Sequence, residues 1–178
     1  MASESSLKRY AEASITPICA SETLGSRWAF RDLLETGAAG IVMLDIAWCG
    51  GLSEARKIAN MAEAAELPVT LHDCTGPIVY AASCALSATL PNVNYQEAVR
   101  AYFTGWYTEV VDAVPRVVEG RVTPLPGAGP GLALKPGGFE RPDAPGRGER
   151  AKDPPPGPHP GAPPGNGAGG GEETAGRA

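Results

Sequence analysis

Apolar positions along this chain come in two textures. Four short runs, TPICA (16–20), GIVMLD (40–45), PVTLH (68–72) and VNYQE (93–97), begin about 25 residues apart and are bounded by turn formers. None alternates apolar with polar as a strand with one wet face would. Each therefore predicts a fully buried strand of a parallel sheet.

Between the runs, apolar residues fall at helical spacing. SRWAFRDLLETG (26–37) places Phe30, Leu33 and Leu34 on one face and ends at Gly37, a residue suited to a left-handed helix terminus. LSEARKIANMAEAAELP (52–68) aligns Leu52, Ala55, Ile58, Ala59, Ala62 and Ala65. There Ser53 suits the cap, Glu54 the first turn and Pro68 the stop. GPIVYAASCALSATLPN (76–92) predicts a helix that opens on Pro77 and ends before Pro91. Strand, loop and helix thus repeat as parallel βα units. Such units build either an open doubly wound sheet or a closed (β/α)8 barrel, and the lack of a GxGxxG after any strand counts against a dinucleotide fold.

Composition narrows the ordered region. From Lys135 to Ala178, 10 of 44 residues are Pro, 12 are Gly, and Phe139 is the one large apolar side chain. That stretch cannot bury enough surface to offset its chain entropy, so residues 135–178 are expected to be a disordered tail and residues 1–134 the folded domain. The net charge of −5 gives no basic footprint for nucleic acid or an anionic membrane. No signal-like or membrane-spanning run is present, and the four cysteines show neither CxxC nor disulfide-framework spacing. A cytoplasmic protein with buried, apolar cysteines is the expectation.

Each predicted strand ends in a polar residue: Glu22, Asp45, His72 and Glu97. Taken singly, Glu22 reads as a solvated acid, Asp45 as the cap of its own turn, His72 as a structural histidine and Glu97 as the first-turn acid of EAVRAYFTGWY. Taken together, four polar ends on four successive repeats would converge on the mouth where barrel active sites form. Their chemistry suits proton transfer. An Asp beside a His fixes the imidazole tautomer and raises its basicity, and a carboxylate such as Glu22 is a hard oxygen ligand for Mg²⁺. A divalent ion would stabilise the enediolate left when a proton is removed next to a carboxylate.

PICASE, GIVMLDIAWCGGLSEARKIANMAE, VTLHDCTGPIVYAAS, LPNVNYQEAVRAYFTGWY and GPGLAL, read in one register, resemble the mandelate racemase/muconate lactonizing enzyme family of the enolase superfamily, and within it the sugar-acid dehydratases. The resemblance implies an α/β fold: strands 5–8, with their helices, of a (β/α)8 TIM-type barrel. It implies Glu22 as a Mg²⁺ ligand, His72 as the catalytic base and Asp45 as its orienting partner. His72 would also protonate the departing hydroxyl, and Glu97 would hydrogen-bond the substrate carboxylate. The activity implied is a lyase reaction, loss of water from a sugar acid or other small carboxylate. An isomerase of the same family (racemase or epimerase) is the alternative, and a non-catalytic module acting through the Pro-rich DPPPGPHPGAPP is a third reading.

The family pattern also places a capping domain and four further strands ahead of residue 1, with two metal carboxylates and a second base among them. On that reading the chain is a fragment with one of three metal ligands, inactive alone, and either self-associating or pairing with an N-terminal half.

Overall fold

The computed structural model describes residues 4–137. After helix α1 (Glu4–Ala13) come four parallel strands, β1 (Cys19–Ala20), β2 (Ile41–Leu44), β3 (Val69–Leu71) and β4 (Val93–Gln96). They lie in the order β1-β2-β3-β4, with Cys19 opposite Ile41, Val42 opposite Val69 and Val69 opposite Val93. All four fall within the predicted runs. A doubly wound sheet reverses its strand order at a switch point, whereas this order steps one way throughout, as in a barrel wall.

Helices α2 (Ser26–Thr36), α4 (Leu52–Ala64) and α5 (Pro77–Ser87) fill the three connections, and a single turn, α3 (Ile46–Cys49), precedes α4. Val42, Leu44, Val69 and Leu71 are fully buried in one cluster with Phe30, Ala55, Ile58, Ala59 and Ala62. Alanines dominate the face that α4 turns into this cluster. Gly37 ends α2 at φ 64°, and Pro77 opens α5. Ser53 is not the cap expected of it. That position belongs to Gly51, because Gly50 and Gly51, at φ 113° and 99°, turn the chain directly from α3 into α4. Glu54 serves a different helix: its Oε1 accepts from the backbone N–H and the Nε of Arg27, 2.9 Å each, and so caps α2 from outside.

The expectation of four fully buried strands holds for β3 alone: Cys19 of β1 is exposed, Ile41 and Met43 of β2 are half-buried, and the middle of β4 is exposed. Asn94 and Tyr95 are both exposed, Tyr95 at 68%, because β4 is an outer strand that pairs on one side only among the described residues. The stretch predicted as one helix after Glu97 is two single turns, α6 (Arg100–Phe103) and α7 (Tyr107–Val110). A short antiparallel pair, β5 (Val117–Val118) and β6 (Arg121–Val122), follows. The GPGLAL segment returns beside α7, where Asp112 N–H donates to Ala133 O and Lys135 N–H to Val110 O. Lys135, the first residue of the expected tail, is thus bonded to the body. From residue 138 onward the tail expectation lies outside the described residues. No described helix is long and apolar enough to cross a membrane.

Candidate active site

Asp45 stands at the end of β2 as the cap of α3. Its Oδ1 accepts from Ala47 N–H at 2.8 Å and Trp48 N–H at 3.1 Å. Its Oδ2 meets His72 Nδ1 at 2.9 Å and accepts from Thr75 Oγ1 at 2.8 Å. The carboxylate is fully buried, and four donors satisfy it. The cap of its own turn and the contact with the imidazole, weighed as rivals on sequence, coexist, one on each oxygen.

His72 follows β3, its backbone N–H bonded to Leu44 O. A carboxylate oxygen can only accept, so neutral His72 carries its proton on Nδ1 and presents the Nε2 lone pair away from Asp45. Glu97 Oε2 lies 3.8 Å from that Nε2, beyond hydrogen-bond range but close enough to attract an imidazolium. Glu97 is itself placed by two bonds: its backbone N–H donates to Leu71 O, and its Oε2 accepts from Asp73 N–H at 2.9 Å. It precedes α6 and is not a first-turn acid. The start of α5, with Gly76 as its N-cap, follows four residues after His72.

Asp45, His72 and Glu97 therefore form one connected group. Glu22 lies in a turn two residues beyond β1, half-buried, with no hydrogen bond or ion pair to the other three. Its charge is nonetheless felt nearby. Burial first, then the Glu22 and Glu97 charges, push the Cys19 thiol up, and burial followed by an acidic set that includes Asp45, Glu97 and Glu22 does the same to Cys74. Both of these cysteines are exposed, unlike the expectation, whereas Cys49 and Cys84 are buried, with thiols pushed up by burial to about 11 and about 12. Cys74 Sγ sits 3.8 Å from His72 Nδ1, but acids all around disfavour its thiolate.

Among the described residues no group of three or more His, Cys, Asp or Glu side chains could hold a metal ion. Mg²⁺ demands near-octahedral oxygen coordination, and Glu22 alone does not meet it. Three residues bonded into this group had no part in the sequence reading: Thr75, Asp73 and Tyr107. Thr75 and Asp73 stand in the same HDCTGP loop, which carried a visible cue. Tyr107, whose hydroxyl donates to Asp73 Oδ1 at 2.8 Å from 34 residues away, carried none.

Residues 1–148 match the enolase C-terminal domain-like family. The chain belongs to that family. Among solved structures this enolase-family chain is similar to an enolase of the mandelate racemase subgroup from Agrobacterium tumefaciens, at 64% identity and TM-score 0.73, covering 78% of this chain and 38% of that one. It is also similar to a member of the enolase superfamily from Salmonella Typhimurium, at 27% identity and TM-score 0.74, covering 78% and 36%. Curated relatives include a D-xylonate dehydratase of Haloferax volcanii, 32% identical over 71% of this chain and 31% of that protein. A D-galactonate dehydratase of Ralstonia nicotianae is 33% identical over 70% and 34%. The chain spans about a third of the length of these curated relatives. Membership of the mandelate racemase/muconate lactonizing group, implied by the sequence motifs, agrees with these matches.

Proposed function

We propose that this chain carries the proton-transfer side of a sugar-acid dehydratase active site. The observation that supports it is the 2.9 Å contact between a fully buried, four-donor Asp45 and His72 Nδ1. His72 Nε2 removes the proton α to the substrate carboxylate. The electron pair left behind forms the C=C bond and expels the β-hydroxyl, which takes the proton from the imidazolium and leaves as water. The enol product then becomes a 2-keto acid. Asp45 holds the tautomer and steadies the imidazolium, and Glu97 hydrogen-bonds the substrate carboxylate, one proton being shared between the two carboxyl groups.

Glu22 is read as a ligand for Mg²⁺ in the assembled barrel. The described residues do not form that site themselves; when bound there, the ion would stabilise the charge of the enediolate. The substrate class is a small sugar acid, as the names of the dehydratase relatives suggest. The four strands are read as part of an eight-strand barrel whose other strands pair with the free edges of β1 and β4. With those edges open, the 178-residue chain alone is expected to be inactive.

The test is to place residues 1–137 in the corresponding segment of the Agrobacterium tumefaciens enolase and to assay 2-keto acid formation from D-xylonate and D-galactonate with Mg²⁺. The hybrid should release product and the isolated chain should not. His72→Asn in the hybrid should lower the rate on the order of 10²–10⁴-fold, the usual worth of a general base. A working hybrid indifferent to His72→Asn would sink the reading. Epimerised sugar acid with no loss of water would move the chain to the racemase branch.

A further inference from the structure

Glu97 reaches into the candidate site from an irregular stretch between β4 and α6, and its side chain is 40% exposed. Among the described residues no side chain hydrogen-bonds it, and the group that holds its carboxylate is the backbone N–H of Asp73. Asp73 also holds the segment two residues further on. Its Oδ2 accepts from Val99 N–H at 2.8 Å, and its Oδ1 accepts from the Tyr107 hydroxyl at 2.8 Å. Tyr107 is fully buried, with its ring set edge-on against Trp106 at 4.5 Å and beside Tyr102 at 5.6 Å.

We propose that Asp73 and Tyr107 are positioning residues, a buried clamp that sets Glu97 opposite the outer nitrogen of His72. The packed Tyr107 ring fixes the phenolic oxygen, which fixes the Asp73 carboxylate. Asp73 then holds both ends of the three-residue span 97–99, one through its N–H and the other through its carboxylate. A staple serving only the loop would not need a fully buried acid next to another acid. Burial and the Glu97 charge push the Asp73 carboxyl up, against its two hydrogen bonds and the His72 charge. That arrangement is costly for the fold, and the geometry accounts for it by what it does to Glu97.

The proposal rests on the Asp45–His72 reading, and the test separates the two. The chain has two histidines, His72 and His159, so the His72 Cε1–H signal is identified in proton NMR by comparison with His159→Gln. Tyr107→Phe removes one oxygen that does not touch His72 and leaves the ring in place. At one fixed pH it should move the His72 signal in the same direction as Glu97→Gln, by no more than that variant does. In the Glu97→Gln background, Tyr107→Phe should produce no further movement, because residues acting through one another are not additive. Asp73→Asn, which keeps the backbone N–H and one acceptor, should fall between the parent chain and Tyr107→Phe. An unmoved signal in folded Tyr107→Phe, or a displacement that persists undiminished alongside Glu97→Gln, would overturn the clamp. So would a Tyr107→Phe chain that does not fold, since the hydroxyl would then serve the whole fold rather than Glu97. Asp45→Asn tests the underlying dyad independently. It presents a donor to Nδ1, so the ring nitrogen shifts should report a change to the Nε2–H tautomer; no such change would sink the dyad and leave the clamp standing.

Discussion

Two buried carboxylates lie at neighbouring strand ends with unequal support. Asp45 accepts four hydrogen bonds, enough to saturate an ionised carboxylate, while Asp73 accepts two. Burial therefore dominates at Asp73 and pushes its carboxyl above the ordinary value of 3.8. Relative to the unfolded chain, the fold shifts Asp73 toward its protonated form. Stability that Asp73 contributes is fully present below the ordinary aspartate range and is lost as pH rises through its raised folded value. Asp73→Asn cannot titrate. Urea midpoints of parent and variant, followed from below pH 3.8 to neutrality, should show the parent's relative stability falling as pH rises. One proton bounds that slope at about 1.4 kcal/mol per pH unit. A difference that is flat or rises with pH would mean that hydrogen bonding, not burial, governs Asp73.

At the scale of elements, Glu54 joins two helices that the sequence treats as separate. Its carboxylate caps α2 through Arg27 N–H and pairs with the Arg27 guanidinium; the backbone N–H bond first, then the guanidinium, hold it below the usual carboxylate range. Thermal unfolding should rank the parent above Glu54→Gln, which keeps an acceptor for the cap but loses the charge, and Glu54→Gln above Glu54→Ala. Equal melting temperatures for Gln and Ala would show that the cap contributes nothing. The same example marks where sequence reading stops. Gly37, Pro77 and the Ala55–Ile58–Ala59–Ala62 face were legible because a local rule decides each of them. Placing Glu54 in a first turn was also right, but which helix it serves depends on how α2 and α4 meet. The exposed Tyr95 in a run read as buried, and α6 with α7 in place of one helix, are likewise set by neighbours far along the chain. In the candidate site, the polar strand ends came from register alone. Thr75 stood in a loop already marked by His72, but its partner, like that of Tyr107, came only with the fold, since a hydroxyl's partner is not written in its own spacing.

Among the described residues the four-stranded sheet is one-sided. With strand order stepping in one direction, the helix-side residues Val42, Leu44, Val69 and Leu71 are buried in the main cluster. The opposite face carries the half-buried Ile41 and Met43 and the exposed Cys19 and Tyr95, beside the buried Thr70. Among the described residues β1 and β4 each pair on one side only. A bare apolar face between two open edges is a template for association, because edge N–H and C=O groups and uncovered side chains find partners in another copy. The isolated chain is therefore expected to self-associate, with a weight-average mass in sedimentation equilibrium that climbs with concentration. Tyr95→Lys places a charge on the bare face of the outer strand and should shift that curve toward monomer without lowering the melting temperature, since Tyr95 belongs to no buried cluster. If the chain is monomeric at every concentration, the face is already covered and the open-edge argument fails. If the parent chain and its Tyr95→Lys variant associate equally, association runs through another surface and the β4 side of the sheet is not the template.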